Sequence, residues 1–107
     1  MEPYKLRYLE VALADVTEIQ EFNRRFSDSY QKKIIDALKA RCKSLAENPY
    51  GAPPYEHDAR YRRAVVDDYL IFYQVDDEQQ TVFIYRILHG SRNIIGILKH
   101  HRPTSDE

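Results

Sequence analysis

The run Tyr4-Lys5-Leu6-Arg7-Tyr8 alternates apolar and charged side chains, which predicts a strand with one buried face. From about residue 10 to residue 25 the period lengthens. Val16, Ile19, Phe22 and Phe26 recur every three or four positions, the stripe of an amphipathic helix with Glu18, Glu21, Arg24 and Arg25 outward. Ser27 and Asp28 interrupt this pattern and suit the cap of a second helix. That helix is predicted over residues 30–47, with Ile34, Leu38, Cys42 and Leu45 on one stripe. Asn48-Pro49 ends it, because the residue before a proline is pushed out of helical geometry. Two such helices joined by a tight turn predict a helical hairpin whose apolar stripes need a sheet to cover.

The second half supplies the sheet. After a loop rich in Pro, Gly and Tyr (49–58), strand-like runs occupy 60–66, 69–75 and 81–88. Asp67-Asp68 and the segment 76–80 separate them. These paired acids read as turn chemistry, for which Asp is favoured, rather than as a metal or acid–base site. The central run 69–73 is apolar on both faces, as an interior strand requires. A last short helix is predicted at 93–100, carrying Ile94, Ile95 and Leu98, and residues 102–107 read as a flexible tail. The expectation is a single α+β domain over residues 1–101, ordered βααβββα. Its N-terminal strand and helical hairpin pack on a mostly antiparallel four-stranded sheet.

Composition narrows the class. A chain of 107 residues fits one domain, and none of its apolar runs approaches the roughly 18–20 residues of a membrane span. Charged residues follow the N-terminus with no apolar stretch behind them, so no secretory signal is expected. Cys42 is the only cysteine and excludes an intramolecular disulfide. Together these features predict a cytoplasmic protein. The net charge of −1 lacks the basic excess of a protein that binds nucleic acid through phosphates. A local basic patch nevertheless survives at Arg60, Arg62 and Arg63.

Candidate chemistry is sparse. His57, His89, His100 and His101 have no i, i+4 ligand spacing, so neither a metal site nor a cofactor is expected. The arginine cluster admits two readings: charge that keeps an edge strand from pairing, or an anion site for a phosphate or an acidic partner. Tyr85, Arg86, His89, Gly90 and Arg92 form the second candidate set. They are either the polar exit from a buried strand or a site where His89 moves a proton and the arginines stabilise phosphorane charge. Spacing leaves both open.

The stretches YRRAVVDDYLIFYQV at 61–75 and VFIYRILHGSR at 82–92 resemble the RelE/ParE superfamily, the toxins of bacterial type II toxin–antitoxin modules. Asn48-Pro49 with Gly51 and the βααβββ order add to the resemblance. It implies a growth-inhibiting, plasmid-stabilising toxin neutralised by a cognate antitoxin, with no direct DNA binding without that antitoxin. The RelE branch cleaves messenger RNA on the ribosome, and the ParE branch blocks DNA gyrase without covalent chemistry. Arg92 falls where the RelE branch has an Arg after the last strand. A nuclease would draw on His89, Arg92, and Arg62 or Arg63, with Glu56 or His57 as base. Against that, Leu98 stands about where that branch often has a catalytic Tyr, Val65 replaces a middle-strand Arg, and the loop before Arg60 has no Lys. The segments 62–66 and 86–90 resemble ParE sequences. The resemblance therefore favours a non-enzymatic gyrase inhibitor, with the ribosome-dependent nuclease as the alternative. Arg60, Arg62, Arg63, Arg86, Phe22 and Phe26 are the expected target- or antitoxin-binding residues.

Overall fold

The computed structural model describes residues 2–99. The chain begins with β1 (Lys5–Tyr8), then forms α1 (Glu10–Arg24) and α2 (Asp28–Glu47). There follow β2 (Pro54–Tyr55), β3 (Asp58–Val66), β4 (Tyr69–Asp76), β5 (Thr81–His89) and α3 (Ile94–Lys99). The α+β class and the helical hairpin are as expected. The segment 100–107, which includes the expected tail, lies outside the described residues.

The sheet has five strands in the order β1-β5-β4-β3-β2, one more than expected. The addition is β2, a two-residue strand inside the 49–58 loop, too short to show any period. It pairs Pro54 with Arg62 and Tyr55 with Asp58 across a register shift. A proline is tolerated there because β2 is an edge strand. β3, β4 and β5 form an antiparallel meander, and β1 lies parallel to β5. Asp67-Asp68 makes the two-residue connection between β3 and β4, with Asp67 at a φ of 50°, where Asp is better tolerated than most residues.

Each face of the sheet has its own core. The hairpin face gathers Ala12, Ile19, Ile34, Ile35, Leu38, Cys42 and Leu45 against Tyr69, Ile71, Tyr73, Val82, Ile84 and Ile87. The opposite face packs Ile94 and Leu98 of α3 on Tyr55, Tyr61, Phe72, Tyr85 and Leu88. The second helix follows its predicted stripe, and Ser27 caps it as expected: the Ser27 hydroxyl accepts from the Tyr30 amide at 3.0 Å.

The first helix departs from its predicted stripe. Its buried residues are Ala12, Asp15, Ile19 and Asn23, whereas Phe22 and Phe26 are 47% and 67% exposed. Two polar side chains are covered because the sheet offers them partners. Asn23 Nδ2 donates to the Ile19 carbonyl and to the Tyr69 hydroxyl, and Asp15 receives donors from β5. The rotation that satisfies these groups turns the phenylalanines outward.

Candidate interaction groove

A β-bulge sets up the site. Phe72 pairs with Arg86 and Tyr73 with Ile84, so Tyr85 is the extra residue on β5. One inserted residue reverses the phase of the alternation that follows. Ile87 therefore joins Ile84 on the hairpin face, His89 lies beside Tyr69, and Leu88 turns to the other core. Without the bulge, His89 would face α3.

His89 then lines a groove of about 640 Å³ between α1 and the ends of β4 and β5. Ile19, Phe22, Tyr69 and Ile87 give it apolar walls, and Glu18, Glu21, Arg25 and Arg92 its charges. The His89 ring meets Tyr69 edge-on at 5.3 Å. Its Nδ1 lies 3.0 Å from the Ser91 amide and 2.8 Å from the Ser91 hydroxyl. A backbone N–H can only donate, so Nδ1 is an acceptor and the neutral ring carries its proton on Nε2. The turn is also tied by the Gly90 amide donating to the Asp68 carbonyl at 2.8 Å. Arg92 approaches Glu18 at 3.6 Å, with both side chains well exposed.

Beyond the groove, the tip of the hairpin exposes an aromatic ladder. Phe22 and Phe26 meet at 5.9 Å, Phe26 and Tyr30 at 5.8 Å, and the Arg25 guanidinium sits 5.0 Å from the Phe22 ring. Contiguous exposed aromatics of this kind mark interaction surfaces rather than ordinary solvent-facing helix.

The expected arginine cluster does not form one site. Arg62 and Arg63 are neighbours in a strand and point to opposite faces. Arg62 stacks on Tyr50 at 4.6 Å and donates to the Ala52 carbonyl at 2.7 Å. Arg60 forks Asp58 through bonds of 2.9 and 2.6 Å, and this contact holds the Asp58 carboxyl below its usual range. The Nε of Arg63 is buried without a hydrogen-bond partner. Arg86, expected as a binding residue, is held by Asp15 through two bonds of 2.7 and 2.8 Å, with its side chain 13% exposed.

Nor does the structure bring Arg62 to His89. His89 pairs with Tyr69, which pairs with Val66, four residues along β3 from Arg62. That separation is about 13 Å along the strand, and β3 and β5 lie a further two strand spacings apart, about 10 Å. Arg63 is on the other face. Glu56 and His57 pair with each other at 3.2 Å beside Tyr55, in the loop between β2 and β3. Leu98 is 2% exposed and packs in the core opposite the groove.

A second polar cluster had no sequence signal beyond turn chemistry. Asp77 accepts from the Tyr4 hydroxyl at 2.7 Å and the Tyr50 hydroxyl at 2.5 Å, joining the N-terminal segment, the β4–β5 turn and the 49–53 loop. These bonds hold the Asp77 carboxyl below its usual range and push both phenols up. Asp76 does follow turn chemistry, accepting from the Gln79 amide at 2.9 Å. Burial pushes the Cys42 thiol up, as expected of a core cysteine rather than a reactive one. Among the described residues no helix is long and apolar enough to cross a membrane.

The model of the family described as ParE toxin of type II toxin–antitoxin system, parDE, matches residues 6–94. A comparison with curated proteins finds no match. Among solved structures, the fold is similar to the chromosomal ParDE toxin–antitoxin system from P. aeruginosa, with a TM-score of 0.70 and 18% identity over 80% of this chain and 95% of that one. The toxin–antitoxin complex RelBE2 from Mycobacterium tuberculosis gives a TM-score of 0.65 and 24% identity over 83% and 93%. A mutant of the E. coli toxin RelE in the free state gives 0.66 and 17% over 94% and 100%.

Proposed function

We propose that this chain, which belongs to the RelE/ParE superfamily of type II toxin–antitoxin toxins, is a ParE-like inhibitor of DNA gyrase held in check by a cognate antitoxin. The observation that carries this reading is that, of the residues a nuclease would need, only His89 and Arg92 share the groove. Arg62 and Arg63 point to opposite faces, and Arg62 lies far along the sheet from His89. His89 offers Nε2–H, a donor, while its basic nitrogen is engaged by Ser91. The groups expected as base, Glu56 and His57, do not line the groove, and a general base needs a free lone pair within reach of the proton it removes. What remains is a surface suited to recognition: an apolar groove rimmed by Arg25 and Arg92, continuous at Phe22 with an exposed aromatic ladder.

Aromatic and arginine side chains are the usual anchors of protein interfaces. An antitoxin segment that orders on binding would cover Phe22 and Phe26 and place acidic residues against the exposed arginines. Solved toxin–antitoxin complexes of the same fold support such a partner. The test is the order of events after expression in growing bacteria. Gyrase inhibition predicts loss of plasmid supercoiling and a DNA-damage response before translation fails. Rapid cleavage of translated messages would overturn it. Co-expression with the adjacent reading frame should yield a complex and restore growth.

A further inference from the structure

We propose that His89 is a positioning residue, acting through Nδ1 to fix the turn that carries Arg92 at the rim of the groove. The proposal deepens the recognition reading above, since it concerns which atom of the groove does the work.

The geometry forms a continuous path. The Ile19 carbonyl and the Tyr69 hydroxyl both accept from Asn23 Nδ2, at 2.8 and 3.1 Å, inside the interface of α1 with the sheet. Tyr69, 6% exposed, then meets the His89 ring edge-on. The imidazole plane is thereby set by residues that are themselves buried. Its Nδ1 receives the Ser91 amide and lies within hydrogen-bond distance of the Ser91 hydroxyl. The next residue, Arg92, donates its amide to the His89 carbonyl at 3.0 Å, and the Ile94 amide donates to the Arg92 carbonyl at 2.8 Å. His89 thus holds the turn from both its side chain and its backbone. Nε2–H is left as a donor at a groove that Arg25 and Arg92 also line.

A proton on Nδ1 would remove the acceptor for the Ser91 amide and turn that contact into a donor–donor pair, whereas the Ser91 hydroxyl can rotate to accept. The groups around the ring are Glu18, Glu21 and Arg25 on α1, Tyr69 on β4, Asp68 in the adjoining turn and Arg92 itself. Loss of the Nδ1 acceptor should therefore loosen the turn, and the effect should be local to residues 90–92.

Amide substitutions separate the two ring nitrogens, because an Asn side chain reaches about as far as Nδ1 and a Gln side chain about as far as Nε2. Nitrogen NMR of the free wild-type protein should show the proton on Nε2. The Ser91 amide should exchange at nearly the wild-type rate in His89→Asn, and roughly three- to tenfold faster in His89→Ala and His89→Gln, the scale of one lost hydrogen bond. Protection restored by Gln but not by Asn, or a proton on Nδ1, would overturn the proposal. These measurements need no partner. A wild-type protein that fails to arrest growth would remove the proposed function and leave the positioning result standing.

Discussion

Asp15 of α1 and Arg86 of β5 form a forked ion pair at the point where β1 has ended and the edge of β5 would otherwise be bare. Arg86 Nε and Nη2 donate to the two carboxylate oxygens at 2.7 and 2.8 Å, and the Ile87 amide adds a third bond at 3.0 Å. The carboxylate thus takes the place of a neighbouring strand for one backbone donor. Asp15 is 4% exposed, so removing it leaves a mostly buried guanidinium and a backbone N–H without partners. Asp15→Ala should cost about 3–5 kcal/mol, read from the urea midpoint at constant slope. Replacing both, as Asp15→Leu with Arg86→Met, should recover only part of that loss, because no charge is then stranded but the Ile87 amide still lacks its acceptor.

The Asp77 cluster makes stability depend on pH at both ends. The folded-state pKa of Asp77 is depressed below the ordinary value of 3.8 by its bonds from Tyr50 and Tyr4. Its contribution is present above that value and is lost as pH falls through the folded pKa. The phenols of Tyr4 and Tyr50 are raised above 10.0, so their contribution is present below that value and is lost as pH rises through the folded pKa. Asp77→Asn should flatten the acid limb of the stability profile and return both phenols toward ordinary titration. Urea melts across pH, with phenolate absorbance, measure both effects.

Phe22 and Phe26 contribute little to the fold because they project from it. Phe26→Ser should shift stability by no more than about 0.5 kcal/mol, as at other exposed sites. The same change should weaken capture by the antitoxin by about 2 kcal/mol, the scale of an interface anchor. Calorimetry with the purified antitoxin distinguishes the two.

Much of this architecture is legible in the chain. Ser27, Asn48-Pro49, the acidic turns and the doubly apolar run at 69–73 mark their elements through local chemistry. The stripe of α1 is not legible, because its buried members include Asp15 and Asn23. Nothing in a hydrophobic pattern reveals that a carboxylate will find three donors on a strand more than seventy residues away. The bulge at Tyr85 is silent for a related reason. Every residue from Val82 to Leu88 except Arg86 is apolar or aromatic, so the phase reversal leaves no trace in polarity. Yet it decides that His89 faces the groove. The arginine triplet misleads in the opposite sense, since adjacency in a strand sends Arg62 and Arg63 apart.

Arg92 and Arg62 provide a paired control within the proposed surface. Their side chains serve different places: Arg92 the groove, Arg62 the Tyr50 stack. Arg92→Ala should leave stability within about 0.5 kcal/mol, since its pair with Glu18 is exposed. It should weaken growth inhibition through a lost contact on the order of 1–3 kcal/mol. Arg62→Ala should act chiefly on the packing of the 49–53 loop, seen as a lowered melting temperature. Titrated expression and thermal melts of both variants test the contrast.

The central claim is tested most directly with purified wild-type protein, given in parallel to DNA gyrase with relaxed plasmid and to ribosomes programmed with a defined message. A gyrase inhibitor should block supercoiling in proportion to its concentration, be relieved by antitoxin, and leave the message intact. Cleavage of the ribosome-bound message, abolished by Arg92→Ala and accompanied by undisturbed supercoiling, would contradict the account.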